Sequence, residues 1–108
     1  MPLYMTQFSY TTEGVAALAR KPEDRGATLK ALAEKMGGKV LAFYYSFGDY
    51  DGVAIYEAPD ATTALTVVLT VVVAGHLKAV KTTELFTVPE AMKAMGTAGT
   101  VLYKAPTG

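Results

Sequence analysis

Residues Lys39 to Phe47 read KVLAFYYSF. Extended, this run puts Leu41, Phe43, Tyr45 and Phe47 on one parity and Val40, Ala42 and Tyr44 on the other. Successive side chains of a strand point to opposite faces, so a strand that is apolar on both parities needs a cover on both sides. Two other runs repeat the pattern. Leu3 and Met5 oppose Tyr4, Phe8 and Tyr10 within Leu3–Tyr10, and Val53 and Ile55 oppose Ala54 and Tyr56 within Val53–Ala58. A sheet with one face in water would alternate apolar with polar.

The rest of the chain offers material for one cover. Thr11 and Thr12 supply an N-cap, Glu13 complements a helix start, and Val15 and Leu18 begin a helical stripe. Pro22 interrupts it, and the Lys21-Pro-Glu-Asp24 segment reads as a fresh start or a kink. Leu29, Leu32, Ala33 and Met36 recur at helical spacing until Gly37-Gly38 ends the segment. A second helix is expected over residues 61–74. Its valines favour strands, but Asp60 caps it, Gly75 stops it, and its length exceeds that of a usual strand.

Strands are expected at Leu3–Tyr10, Lys39–Phe47, Val53–Ala58 and Lys78–Thr87, with Pro89–Met95 as a short helix and Gly96–Gly99 as a break. This β-α-β-β-α-β order specifies an α+β fold. Its ferredoxin-like form is a four-stranded antiparallel sheet carrying two helices on one face. The 108 residues suffice for one domain, divided here into a body of residues 1–96 and a C-terminal tail of residues 97–108, which is a short extra strand or an intersubunit arm. The second face is assigned to another copy of the chain, giving a homodimer or a larger assembly of dimers. The competing cover is the tail, folded back over part of that face.

Ten basic and ten acidic residues balance, so no nucleic-acid or membrane partner is expected. The chain has no cysteine, which excludes disulfides, thiolate metal sites and cysteine nucleophiles. MPLYMTQFSY lacks the basic segment and long apolar core of a secretion signal, and the apolar window Ala64–Ala74 is too short to span a bilayer. A cytoplasmic location is the expectation.

The loop Gly48-Asp49-Tyr50-Asp51, with Glu34–Val40 (EKMGGKV), Ile55–Asp60 (IYEAPD) and Lys81–Leu85 (KTTEL), resembles the GYD domain family from about Leu3 to Met95. The resemblance implies a ferredoxin-like fold of the dimeric α/β-barrel type and no particular activity. The valine-rich second helix and the following Gly75-His76 depart from the family's usual pattern.

In the ferredoxin-like order the first strand lies between the third and fourth. Tyr10 then ends beside Tyr50, Asp51 and His76, three residue types that move protons. Asp51 is either a turn anchor bonded to backbone amides or a general base. Tyr50 is a packing residue or an acid, and His76 caps helix carbonyls, is oriented by Asp51, or acts as a base or haem ligand. Asp51, Tyr50 and His76 are the candidate catalytic residues, and Tyr10, Tyr44 and Lys81 the candidate ligand-binding ones. Asp49, Asp51, Glu57 and His76 show no metal-ligand spacing, so no metal and no cofactor is expected. No phosphate loop or nucleophile elbow is present.

Two functions fit these residues. One is a small aromatic or amphipathic metabolite held in a cavity between sheet and helices, with or without cofactor-free proton transfer or oxygenation. The other is a non-catalytic assembly or interaction protein.

Overall fold

The computed structural model describes residues 1–107. The elements run β1 (Leu3–Tyr10), α1 (Thr12–Arg20), α2 (Arg25–Lys35), β2 (Lys39–Tyr45), β3 (Gly52–Glu57), α3 (Ala61–Val73), β4 (Leu77–Leu85) and α4 (Val88–Ala98). Each helix starts where a side-chain oxygen can take an amide that has no partner inside the helix. Thr11 accepts from the Gly14 N–H, Asp24 from Ala27, Asp60 from Thr63 and Thr87 from Glu90. At α4 the bond is reciprocated, because the Glu90 carboxylate accepts the Thr87 N–H at 2.9 Å.

Two of these starts sharpen the expectation from sequence. The first helical segment is two helices, and the second begins at Asp24, with Pro22 in the link before it. Residues 61–73 are helical despite their valines. Thr66 and Thr70 turn their hydroxyls back to the Thr62 and Thr66 carbonyls at 2.8 and 2.7 Å, which satisfies the polar atoms of this apolar helix within itself.

The strands form one antiparallel sheet in the order β2-β3-β1-β4. β1 therefore lies between β3 and β4, the placement expected from sequence. One parity assignment fails. The β2–β3 register shifts between Val40 and Ala42, so Leu41 is an extra residue and the side chains beyond it change face. Val40 and Phe43, three apart, consequently pack on the same core cluster, whereas simple alternation had put them on opposite sides.

That cluster is Tyr4, Ala54, Tyr56, Ala58 and Ala64, with Leu29 of α2 against it. Tyr4 pairs across with Tyr56, and their rings stack at 6.0 Å. α1, α2 and α3 cover this face only. On the other, Leu3, Met5, Val53 and Ile55 are only half-buried, and Tyr44 is 67% exposed. The tail does not close that surface: residues 101–107 form neither helix nor strand, and Val101, Leu102 and Tyr103 are exposed.

α4 runs on to Ala98, past the expected break at Gly96, and buries none of its residues. The molecule is accordingly elongated, 58 × 36 × 21 Å. Its radius of gyration is 17.6 Å, where a compact chain of this length would have about 13 Å. Among the described residues no helix is long and apolar enough to cross a membrane.

Two consequences are measurable. Hydrogen bonds from Thr63 hold the Asp60 carboxyl below its ordinary 3.8, and bonds from Thr87 lower Glu90 likewise. A depressed folded-state pKa contributes stability above the unfolded value and loses it as pH falls through the folded one. In thermal melts the advantage of wild type over Asp60→Ala should hold at neutral pH and shrink as pH drops below the ordinary carboxylate range. An advantage independent of pH would show that the charge plays no part in the cap. A Cβ on the buried Gly14 would lie 2.8 Å from the His76 Cβ and 2.9 Å from its carbonyl oxygen. Gly14→Ala should therefore destabilise by about 1–3 kcal/mol in denaturant titration.

Candidate functional site

The loop between β2 and β3 is tied to the end of β1 by its own backbone. Asp51 donates its N–H to the Phe8 carbonyl, and Ser46 donates its N–H to the Asp51 carbonyl, each at 2.8 Å. The Ser46 hydroxyl donates to the Tyr50 carbonyl at 2.6 Å. Buried Ser9 donates to the Asp49 carbonyl at 3.4 Å.

The β1–β3 register ends at Phe8 and Gly52, and beyond that pair the Asp51 carboxylate accepts the Tyr10 N–H at 2.8 Å. Asp51 thus continues the pairing of the sheet with a side chain where the backbone has turned away. Gly52 is needed beside it, because a Cβ there would run into the Phe8 ring.

The second connection at this end is Gly75-His76. Both residues have positive φ, 91° and 74°, and His76 is the one non-glycine residue among those described to do so. Such backbone is disfavoured for a side chain bearing a Cβ, although His tolerates it better than most. It is held because the Thr11 N–H donates to the His76 carbonyl at 2.8 Å and Gly14 leaves room for the His76 backbone. His76 therefore meets the start of α1 through its main chain, and its imidazole is left at the surface.

Between the sheet and α1, α2 and α3 lies a cavity of about 510 Å³. Its walls are apolar: Phe8 and Phe43 from the sheet, Leu29 and Leu32 from α2, Val67 and Val71 from α3. Phe8, Phe43, Tyr10 and Tyr45 form one aromatic group, with neighbouring centroids 5.4–6.5 Å apart. Burial, reinforced by a hydrogen bond with Tyr45, pushes the Tyr10 hydroxyl well above its ordinary value, so Tyr10 stays protonated.

Thr28 and Thr70 also line the cavity, with their hydroxyls bonded back to the Asp24 and Thr66 carbonyls, and the other polar groups gather at two places. On the floor, the Thr6 hydroxyl bridges Tyr56 at 2.8 Å and Thr82 at 2.9 Å. Thr6 and Tyr56 both line the space. Burial raises the Tyr56 pKa, partly offset by those threonine hydroxyls. At the rim are Tyr10, His76, Glu23 and Arg25, with Arg25 Nη1 3.1 Å from Glu23 Oε1.

The structure thus brings Tyr10 and His76 to the cavity and places Asp51 behind Tyr10, bonded to its backbone. Tyr50 stays in the loop, half-buried. Tyr44 and Lys81 lie elsewhere. Tyr44 pairs with Val53 and Lys81 with Gln7, both on the face away from the helices. Thr6 and Arg25 went unread in the sequence. The signal for Thr6 was a lone hydroxyl between Tyr4 and Phe8 on one parity. Arg25 sat in a link whose course was ambiguous.

The other unfilled surface is apolar and exposed. α4 presents Val88, Met92 and Met95 at helical spacing, all more than 60% exposed, with Phe86 before them and Leu102 and Tyr103 after.

A Thermus thermophilus protein named "Glutamine synthetase and cystathionine beta-lyase binding protein" is 32% identical over 78 residues, which is 72% of this chain and 82% of that one. The family model for the GYD domain matches residues 4–95, from β1 into α4. The chain belongs to the GYD domain family.

Proposed function

We propose that this protein is a self-associating protein-binding module of the ferredoxin-like, dimeric α/β-barrel plan, which docks partner proteins through α4 and the tail. The observation that carries this reading is the state of α4. It has 11 residues, a complete capping box and no buried side chain. Isolated helices shorter than about 12–15 residues are marginal in water. A helix this short, with an apolar stripe, is therefore built to be completed by another surface. The name of the Thermus thermophilus relative supports protein binding as the purpose.

The half-buried back of the sheet supports self-association. At about 25 cal/mol per Å², covering a few hundred Å² of apolar surface contributes several kcal/mol. Two copies laid back to back would leave α4 and the tail free to reach over a neighbour or a partner. Asp51 serves this module as a positioning residue, its carboxylate spent on the Tyr10 amide.

A second reading rests on a separate observation, the cavity of about 510 Å³ on the helix side. That size falls within the ~300–1,000 Å³ of small-molecule sites.

Light scattering on the full chain should give the mass of at least two copies, and the Met92→Glu, Met95→Glu double variant should lose affinity for a partner enzyme. Glutamine synthetase and cystathionine β-lyase from the same source are the first partners to titrate. A single-chain wild-type particle that binds neither enzyme would sink the proposal. Asp51→Ala should lower stability by about 1–3 kcal/mol, the cost of leaving a partly buried amide unpaired. It should leave partner affinity unchanged in the folded fraction, measured by denaturant titration and surface binding.

A further inference from the structure

Building on the cavity reading, we infer that the space between sheet and helices is a site for an amphipathic monocarboxylate. Its apolar body would lie along Phe8, Phe43 and Val71, its carboxylate at Arg25, Tyr10 and His76. Three features of the lining carry this. The first is shape. β1 contributes Thr6, Phe8 and Tyr10 to the lining, and four residues of strand separate the hydroxyl floor from the rim by about 13 Å. The space suits an elongated molecule.

The second is the distribution of polarity. The middle of the lining is aromatic and aliphatic, while the rim holds a guanidinium, an imidazole and a phenol against one carboxylate. The half-buried Tyr10 hydroxyl is already engaged with Tyr45, so the donors left free at this end are led by the Arg25 guanidinium. Donors outnumber acceptors there, which is the balance a carboxylate requires.

The third is the pairing of Arg25. Its contact with Glu23 is a single Nη1 bond between two partly exposed groups. Pairs of that kind are weak and readily exchanged, and the planar guanidinium has further donors to offer a second carboxylate. Glu23 is then a competitor that a ligand displaces.

The floor adds a selective element. Thr6, Tyr56 and Thr82 are three hydroxyls joined by two hydrogen bonds. Each hydroxyl carries one hydrogen, so one remains to donate to an acceptor at the tail of the ligand.

The test uses octanoate and octanamide, equal in length and different in charge. The folded full chain is titrated by calorimetry, and the methyl groups of Leu29, Val67 and Val71 are followed by NMR. Octanoate should bind, shift those methyls, and exceed octanamide by about tenfold or more, as expected of charge-assisted hydrogen bonds. Arg25→Gln should erase that preference by bringing octanoate down to the level of octanamide, and Glu23→Gln should tighten octanoate. Asp24, which caps α2, is untouched in both variants. Equal binding of the two probes, or a preference that survives Arg25→Gln, would overturn the carboxylate assignment and leave the cavity reading standing. Binding of neither, or shifts confined to α4 and the tail, would overturn both.

Discussion

A four-stranded sheet has two faces, and the helices of this chain cover one. Tyr4, Ala54 and Tyr56 pack under α2 and α3, while Leu3, Met5, Val53 and Ile55 have no layer over them. Alternation along a strand makes this unavoidable once both parities are apolar. The proposed self-association rests on the uncovered face, and the covered face, only partly filled by short side chains such as Ala33, Ala54 and Ala64, encloses the cavity on which the second reading rests.

Much of the fold was legible because its signals are local. Asp60 before an apolar run and Gly75 after it define α3 more firmly than its valines contradict it. The cap at Thr11 marks its helix in the same way, since a free amide needs a nearby oxygen wherever the helix lies, whereas the caps at Asp24 and Thr87 emerge only in the structure. The β2 faces were misread for the complementary reason. An extra residue at Leu41 is set by pairing with β3, and nothing within KVLAFYYSF distinguishes that residue from its neighbours. Placing Tyr44 depends on the bulge, and a wall role for it in the cavity does not survive the register.

The candidate site divides along the same line. That Tyr10, Asp51 and His76 would meet at one end of the sheet followed from strand order alone, and they do. Their roles did not follow, because a role depends on which atoms are already engaged. Asp51 gives an oxygen to the Tyr10 amide, and His76 gives its carbonyl to Thr11. Both residues stitch connections to β1 and α1, and what remains for a ligand is the Tyr10 ring and the His76 imidazole. Arg25 became visible only when the link through Pro22 resolved into two helices and set it at the start of the second.

The two surfaces share one backbone. β1 turns Thr6, Phe8 and Tyr10 toward the cavity and Leu3, Met5 and Gln7 toward the open face, and like β3 it is bonded on both edges. A doubly paired strand is the stiffest part of such a sheet, so a ligand pressing on Phe8 has little means of shifting Met5. α3 is different. It contributes Val67 and Val71 to the cavity and leads through Gly75-His76 directly into β4, which in turn leads to α4. In that connection positive φ is disfavoured at His76 and not at Gly75, and the Thr11 N–H donates to the His76 carbonyl there. Gly14, whose missing side chain makes room for that bond, lets the start of α1 close on the connection that leads from α3 into β4.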